Sequence, residues 1–337
     1  MIGYGYWGPN LARNLSESKD FDLLCVCDRS SERAEAAHRR YPAIMTPADS
    51  VAAMSDPRID AVFIATPTAS HYNLAQKALD LGKHVFIEKP IAGSSDEARK
   101  ITEEADRKGL VLMVDHTFVY TPAVRRIRRL IDDGEIGDFL YYDSTRINLG
   151  LFQHDVDVIW DLAVHDISIL IYLAPEKPIA VSAQGHTHVA GQWMNVAFIT
   201  LMFPGNAIAH INVNWLAPVK IRRTLVGGSK KMIVYDDLEP TEKVKIYDKG
   251  VTIAHNQAEV EQMRVGYRLG DMHAPTLPAS EALSTGIQHF ADCIAAGKRP
   301  ETDGENGTLV VEILEAASRS VSLQGQPVPI RRQVATT

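Results

Sequence analysis

Residues 60–90, DAVFIATPTASHYNLAQKALDLGKHVFIEKP, decide the fold class of this 337-residue chain. Residues 60–66 and 84–90 are short runs dominated by apolar side chains, whereas residues 70–82 have the apolar spacing of an amphipathic helix. Apolar strands that alternate with helices are typical of a parallel sheet covered on both faces. The stretch therefore predicts a doubly wound α/β domain.

The same alternation covers the first third of the chain. It predicts further strands at 22–28 and 110–116, and helices at 9–18, 30–41 and 95–109. These segments place a first domain at residues 1–116.

Residues 117–337 have a different pattern, which predicts a second domain of the α+β class. After an arginine-rich helix, runs with mostly period-two alternation follow one another, as in an antiparallel sheet with one wetter face. A helical stretch at 157–173 interrupts these runs. Two amphipathic helices, at 281–297 and 307–321, are expected to pack back towards the first domain.

Composition narrows the classes of partner. The 35 lysines and arginines are outnumbered by 42 aspartates and glutamates, and the net charge of −7 argues against nucleic acid or an anionic membrane. The densest basic run, Arg125–Arg129, fits the solvated face of a helix better than a phosphate-binding patch. Three cysteines are too few for a disulfide framework or a zinc site, and no apolar run approaches about 18 residues. A cytoplasmic protein is expected.

The first glycines have the spacing of a loop that binds a dinucleotide. Gly3, Gly5 and Gly8 form G-x-G-x-x-G, and Gly8 opens a predicted helix. Such glycines let the backbone approach the diphosphate, and the amides around Tyr6 and Trp7 would face its charge.

This motif belongs between a strand and a helix, yet only Met1 and Ile2 precede it. A strand has about 5 or 6 residues. We therefore expect the native protein to carry several further residues, mostly apolar, before Met1.

Asp28 lies 20 positions after Gly8, at the end of the strand predicted at 22–28. A carboxylate there can accept hydrogen bonds from the adenosine ribose, which favours NAD over NADP, although Arg29 beside it keeps NADP possible. The alternative is that Asp28 caps the helix that follows.

Polar residues end both strands of the opening stretch: Thr66, Pro67 and His71 after the first, and Glu88 and Lys89 after the second. Ligands of open α/β sheets bind at this edge. A partly desolvated lysine near a cationic nicotinamide can take a proton from a substrate hydroxyl. The alternative for Lys89 is an ordinary exposed lysine.

Asp161 and His165 are four residues apart in the helical stretch at 157–173 and therefore share a helix face. A carboxylate can orient an imidazole there for proton transfer. The alternative for His165 is a histidine satisfied in the core. A metal site is not expected, although two histidines and four carboxylates cluster, because the order lacks H-E-x-x-H: His154, Asp155, Asp157, Asp161, His165 and Asp166.

These motifs together resemble the Gfo/Idh/MocA family, the group of glucose-fructose oxidoreductase and inositol dehydrogenase. The resemblance is carried by GYGYWG, CVCD, ATPTASHYNLAQKALDLGKHVFIEKP and DLAVHD, which occur in family order across both predicted domains. It implies a Rossmann domain followed by a large open antiparallel sheet, which often builds dimers or tetramers.

For the site, the resemblance implies NAD(P) bound by the glycine loop and Asp28, with Thr66, Pro67, His71 and Glu88 near the cofactor. It implies Lys89 as the catalytic or proton-relay group, and it maps the family helix motif onto Asp161, Ala163, His165 and Ser168. One departure from the family pattern is an alanine at 163 and a serine at 168 in place of the usual glycine and acid. The other is VDHTFVY, where Thr117 and Val119 replace the asparagine and arginine of many relatives and His116 is the remaining polar candidate.

The variant WDLAVHDISIL, with INLGLFQHDVDV upstream, is most similar to the branch acting on amino sugars or nucleotide-linked sugars. The substrate-binding candidates are Lys89, His116, Arg146, Asn148, His154, Asp161 and His165. The expected reaction is NAD-dependent oxidation of a ring hydroxyl, at C3, to a ketone. The alternatives are a ketosugar reductase and a cofactor-binding regulator without catalysis.

Overall fold

The computed structural model describes residues 1–150, 156–190, 193–248, 250–252, 266–268 and 270–330. These residues form two compact units. The first contains Met1–Thr121 and Ser280–Glu315, and the second contains Pro122–Ala279 and Ala316–Thr337. The predicted helices at 281–297 and 307–321 thus contribute mostly to the first unit.

The described helices, in chain order, are α1 Gly8–Glu17, α2 Ser31–Arg40, α3 Ser50–Met54, α4 His71–Asp80, α5 Ser95–Lys108, α6 Pro122–Asp132, α7 Val164–Leu173, α8 Ala282–Ala296 and α9 Gly304–Ser322. Short 3₁₀ turns cover Thr68–Ser70 and Thr117–Tyr120. A π-helix, Ile159–Ala163, leads directly into α7.

The described strands are β1 Ala61–Ile64, β2 His84–Glu88, β3 Leu112–Asp115, β4 Phe139–Leu149, β5 Ala180–His186, β6 Val196–Met202, β7 Ile208–Asn214, β8 Leu216–Gly228, β9 Met232–Asp236, β10 Val244–Tyr247, β11 Gly250–Thr252, β12 Gly266–Arg268, β13 Met272–His273 and β14 Val328–Pro329.

The sheet of the first unit is parallel, in the order β1-β2-β3. Isolated parallel bridges extend it, because Ile2 pairs with both Ile64 and Cys27, and Cys25 pairs with Met45. The amide of Ile2 donates to the carbonyl of Phe63 at 2.7 Å, so Ile2 lies where the first strand was predicted. The doubly wound class is confirmed for this unit.

Aromatic side chains fill the core beneath this sheet. The rings of Phe63 and Phe86, on β1 and β2, lie 4.9 Å apart. Phe290 from α8 contacts both, at 5.5 Å and 5.6 Å. These edge-to-face contacts bury large apolar area and fix α8 against the strands that carry the polar residues at their ends.

The second unit contains a nine-stranded sheet in the order β13-β10-β9-β8-β4-β7-β6-β5-β14. Its strands alternate buried and more exposed residues, as the period-two pattern predicts. One pair, β4 and β7, runs parallel, so the sheet is mixed rather than wholly antiparallel. A connection that includes α7 makes this parallel pairing possible.

Candidate functional site

The glycine loop packs tightly on one side and is open on the other. Gly3 has a φ of +93°, and a Cβ there would lie 2.4 Å from the carbonyl oxygen of Ala65. A Cβ on Gly8 would lie 2.7 Å from the oxygen of Gly3. By contrast, a Cβ on Gly5 would meet only Nη1 of Arg33, at 3.7 Å. The bare backbone at Gly5, with a guanidinium beside it, fits a diphosphate.

The start of α1 supports the same fit. Its N-cap position, Trp7, makes no side-chain cap hydrogen bond. The first amides of α1 therefore have no side-chain acceptor at the cap, as an anion-binding helix start requires. Tyr6 is 92% exposed and Trp7 37% exposed. These residues are consistent with the predicted diphosphate site.

Asp28 holds the glycine loop in place through hydrogen bonds from backbone amides. Its carboxylate accepts hydrogen bonds from the amide of Tyr4 at 2.7 Å and the amide of Ser30 at 2.8 Å. The N-cap of α2 is Ser30, whose hydroxyl accepts from the amide of Arg33. The alternative that Asp28 caps this helix is therefore wrong. A ribose contact by the remaining lone pairs of Asp28 stays a prediction.

His71 is fully buried at the start of α4. Its Nδ1 lies 2.9 Å from the carbonyl oxygen of Pro90, and its Nε2 lies 2.8 Å from that of Thr66. Burial lowers the pKa of His71, and the two carbonyl oxygens oppose this shift. The ring thus ties the segment after β1 to the segment after β2, so its effect on a bound cofactor would be indirect.

Four polar residues meet at the ends of β2 and β3. Glu88 and Asp115 are register partners on the two strands, and Lys89 and His116 follow them directly. The amide of Lys89 lies 3.3 Å from Oε2 of Glu88, and the Lys89 charge acts on Glu88, Asp115 and His116. The hydroxyl of Thr117 donates to Oδ1 of Asp115 at 2.7 Å.

The electrostatics of this cluster follow from burial. Burial raises the pKa of Glu88 well above its usual range, and the nearby Asp115 charge adds to the shift. Burial also raises the pKa of Asp115, against the hydrogen bond from Thr117. For His116, burial and then the Lys89 charge lower the pKa to about 3. His116 is therefore neutral at pH 7, and both its ring nitrogens are buried without a hydrogen-bond partner among the described residues.

Asp115 and Thr117 are members of this cluster that the sequence did not mark as site residues. Asp115 ends an apolar strand, LMVD, as Glu88 ends HVFIE. The rule that applied to Glu88, that polar residues at strand ends gather at one edge, would have found Asp115 as well.

In the second unit, Asp161 lies within the π-helix and His165 at the start of α7. Oδ2 of Asp161 accepts a hydrogen bond from the indole of Trp215 at 3.2 Å. The helical stretch is confirmed from Ile159 to Leu173, but its first turn is a π turn, a geometry frequent at functional sites. Roles of Asp161 and His165 in proton transfer stay predictions.

The substrate-binding candidates that precede the helical stretch at 157–173 differ in how far they are buried. Arg146 is 4% exposed, and its Nε donates to the carboxylate of Asp166, which is equally buried. This ion pair leaves little surface for the predicted contact with a substrate. Asn148 lies near the end of β4 and is half-buried. His154 lies outside the described residues.

Two classes of site are absent from the part of the chain that the structure describes. No group of three or more histidine, cysteine or acidic residues is arranged to hold a metal ion. None of the described helices combines the length and apolar character needed to cross a membrane.

Two domain models of the same protein family match this chain. The model described as "Oxidoreductase family, NAD-binding Rossmann fold" of GFO_IDH_MocA matches residues 1–116. The C-terminal domain model of the same family matches residues 124–234.

Individual relatives are similar over nearly the whole chain. The scyllo-inositol 2-dehydrogenase (NAD(+)) of Bacillus subtilis is 27% identical over 98% of this chain and 95% of its own. The UDP-N-acetylglucosamine 3-dehydrogenase of Acidithiobacillus ferrooxidans is 28% identical over 92% of this chain and 93% of its own.

Solved structures give the same result. The structure of the Acidithiobacillus ferrooxidans enzyme superposes with a TM-score of 0.80 at 25% identity, covering 96% of both chains. A levoglucosan dehydrogenase in complex with NADH and levoglucosan shares the fold, with a TM-score of 0.83 at 21% identity over 98% of both chains. Because models of one family match residues 1–116 and 124–234, about two thirds of the chain, the chain belongs to the Gfo/Idh/MocA family of NAD-binding oxidoreductases.

Proposed function

We propose that this protein is a dehydrogenase that uses NAD to oxidise a ring hydroxyl of a sugar or polyol to a ketone. The observation that carries the proposal is the position of Lys89, directly after β2 and beside three titratable side chains of the same sheet edge. Relatives named for the oxidation of scyllo-inositol, UDP-N-acetylglucosamine and D-apiose support this substrate class.

In this reaction the Nζ of Lys89 accepts the proton of the substrate hydroxyl. When bound, NAD would supply the acceptor for the hydride from the carbon that carries this hydroxyl. The glycine loop and Asp28 would hold and orient the dinucleotide, because the loop backbone is open at Gly5 and the start of α1 has no side-chain cap. Proton transfer by a placed side chain contributes about 10²–10⁴ in rate.

We propose His116 as a further contact for the substrate, which requires its ring to become accessible on binding, since His116 is only 1% exposed. A buried imidazole without a hydrogen-bond partner is costly, and a ligand hydroxyl would satisfy it. Because His116 is neutral, one ring nitrogen can accept a hydrogen bond and the other can donate one, and a substrate hydroxyl could pair with either.

For the finer identity, we propose the C3 hydroxyl of an amino sugar or a nucleotide-linked sugar. The similarity to a UDP-N-acetylglucosamine 3-dehydrogenase at 28% identity supports this choice. The similarity to an inositol dehydrogenase at 27% identity makes a free polyol the competing substrate.

The test is an assay of the purified protein with NAD and scyllo-inositol, D-xylose or UDP-N-acetylglucosamine, followed by the absorbance of reduced cofactor. Lys89→Met is expected to lower kcat/KM by about 100-fold or more. Lys77→Met removes an exposed lysine of α4 in the same unit and serves as the matched control. Unchanged turnover by Lys89→Met would contradict the assignment, and NAD binding without turnover of any substrate would favour a regulator.

The second candidate is the reverse reaction, a ketosugar reductase that uses NADPH. The guanidinium of Arg33 beside Gly5, together with Arg29 next to Asp28, offers positive charge for a 2′-phosphate. Relative rates with NADH and NADPH discriminate the two, since a strong preference for NADPH would contradict the ribose role of Asp28.

A further inference from the structure

Two carboxyl groups end neighbouring strands of the parallel sheet of the first unit. Glu88 and Asp115 are the last residues of β2 and β3 and are register partners. Oε1 of Glu88 and Oδ2 of Asp115 are both buried, and neither has a hydrogen-bond partner among the described residues. If both groups were carboxylates, two buried acceptors would lie side by side without a donor, which is strongly unfavourable.

We propose that Glu88 and Asp115 share one proton, held in a hydrogen bond from the carboxylic acid of Glu88 to the carboxylate of Asp115. A single proton turns one of the two unsatisfied oxygens into a donor and leaves the other as its acceptor. Ionising both of two adjacent carboxyl groups in a buried site is strongly disfavoured, because each charge repels the other and neither is solvated.

The surroundings decide which group keeps the proton. Asp115 receives the hydroxyl hydrogen bond of Thr117 and a favourable interaction with the indole of Trp7, both of which stabilise its ionised form. Burial and the Asp115 charge both disfavour the ionised form of Glu88, and its pKa is raised further than that of Asp115. Among the described residues, Lys89 is the other charged group that acts on both members of the pair, and the neutral His116 follows Asp115 directly in the chain.

The consequence concerns Lys89. A pair with one proton carries one negative charge, whereas two carboxylates would carry two and two acids none. An adjacent anion stabilises the charged form of a lysine, so the proton count of the pair sets how readily Lys89 becomes neutral. Glu88 and Asp115 are thus positioning residues for the proton acceptor, a role that rests on the proposed function.

The first experiment looks for the shared proton without any substrate. In the infrared spectrum of the full-length protein at pH 7, the carbonyl stretch of a buried carboxylic acid is expected, with a shift in deuterium oxide. The Glu88→Gln variant should lose this band. Glu312→Gln is the matched control, because Glu312 is 7% exposed but paired with Arg99 at 3.1 Å. A spectrum in which Glu88→Gln removes no acid band would overturn the proposal.

The second experiment measures the pH dependence of kcat/KM. The side-chain amide that Glu88→Gln introduces can donate to Asp115 as the acid does, so the charge of the pair is unchanged. The acidic side of the pH profile of kcat/KM should therefore stay at the same pH in this variant, whatever the maximal rate. The double variant Glu88→Gln with Asp115→Asn has no charge at these two positions, so the acidic side of its pH profile should move to lower pH by about 1 to 3 units.

The other outcomes contradict the proposal in distinct ways. A downward shift of the acidic side of the pH profile in Glu88→Gln alone would mean that the native pair carries two charges. No shift in a folded double variant, checked by thermal unfolding, would mean that it carries none. If the wild-type protein turns over no sugar or polyol, the proposed function fails, while the infrared band still decides whether the proton is shared.

Discussion

Arg146 and Asp166 form an ion pair inside the second unit, with side chains only 4% and 3% exposed. The pair joins β4 to α7, and the hydroxyl of Tyr142 adds a hydrogen bond of 3.2 Å to the carbonyl oxygen of Asp166. Removing one partner leaves the other charge buried without compensation. This unit therefore depends on both charges being present together.

We expect Arg146→Met to lower the free energy of unfolding by about 3–5 kcal/mol, because Asp166 would stay buried and unpaired. The double variant Arg146→Met with Asp166→Leu removes both charges and should recover most of this loss. Urea unfolding of the three proteins measures the difference. If the double variant is no more stable than the single one, the ion pair is not the cause.

The strand pattern of β4 explains why the side chain of Arg146 is buried. Tyr142, Ser144 and Arg146 share one face of the strand, and all three are buried. Period two alone places Arg146 on the same face as Tyr142 and so predicts burial. Its partner Asp166 could not be predicted, because the contact depends on how α7 packs on the sheet.

The polar edge of the first unit was predictable because each strand end is local in sequence. Glu88 and Lys89 follow an apolar run, and their placement at the end of β2 and directly after it agrees with the pattern. The pairing of Glu88 with Asp115 needs the neighbour relation and register of β2 and β3, which no local pattern contains. The π turn at Ile159–Ala163 and the parallel pairing of β4 with β7 likewise depend on tertiary packing.

Asp28→Ala should weaken NAD binding by about 10-fold or more, equivalent to about 1.4 kcal/mol. The variant removes the carboxylate that accepts the Tyr4 and Ser30 amides. The glycine loop therefore loses these hydrogen bonds, and the predicted ribose contact is lost with them. Asp49→Ala is the control, since Asp49 also accepts a backbone amide, that of Val51, as the N-cap of α3. Isothermal titration calorimetry gives both affinities, and equal NAD affinity of Asp28→Ala and the wild type would refute the prediction.

His116 makes stability depend on pH. Its pKa is about 3 in the folded protein against an ordinary value of 6.5, so between these values the unfolded chain binds more protons. The stabilising contribution of neutral His116 is complete above pH 6.5 and is lost on acidification, by up to about 1.4 kcal/mol per pH unit.

The check compares the free energy of unfolding of the wild type and His116→Gln between about pH 4 and about pH 7, by urea unfolding at each pH. The difference between the two proteins should shrink or reverse in favour of His116→Gln as the pH falls. His38→Gln, at an exposed position of α2, should follow the wild type. Parallel curves for wild type and His116→Gln would mean that His116 does not remain neutral.

The exposed side of the nine-stranded sheet, here named the open face, carries the predicted contact between subunits. It includes Phe198 at 48% exposure, Ile208 at 50% and Val219 at 62%. The ring of Phe198 stacks on His210, with centroids 6.3 Å apart. A group of exposed apolar side chains on one face of a sheet favours association with a second copy.

We expect the wild type to be a dimer or tetramer and Phe198→Glu to lower its molar mass, because a charge on the open face would have to be buried without a partner on association. Light scattering after size-exclusion chromatography measures the mass. Leu323→Glu is the matched control, since Leu323 is 41% exposed in the same unit but lies beyond α9 rather than on the sheet. A monomeric wild type, or an unchanged mass for Phe198→Glu, would exclude the open face as the contact.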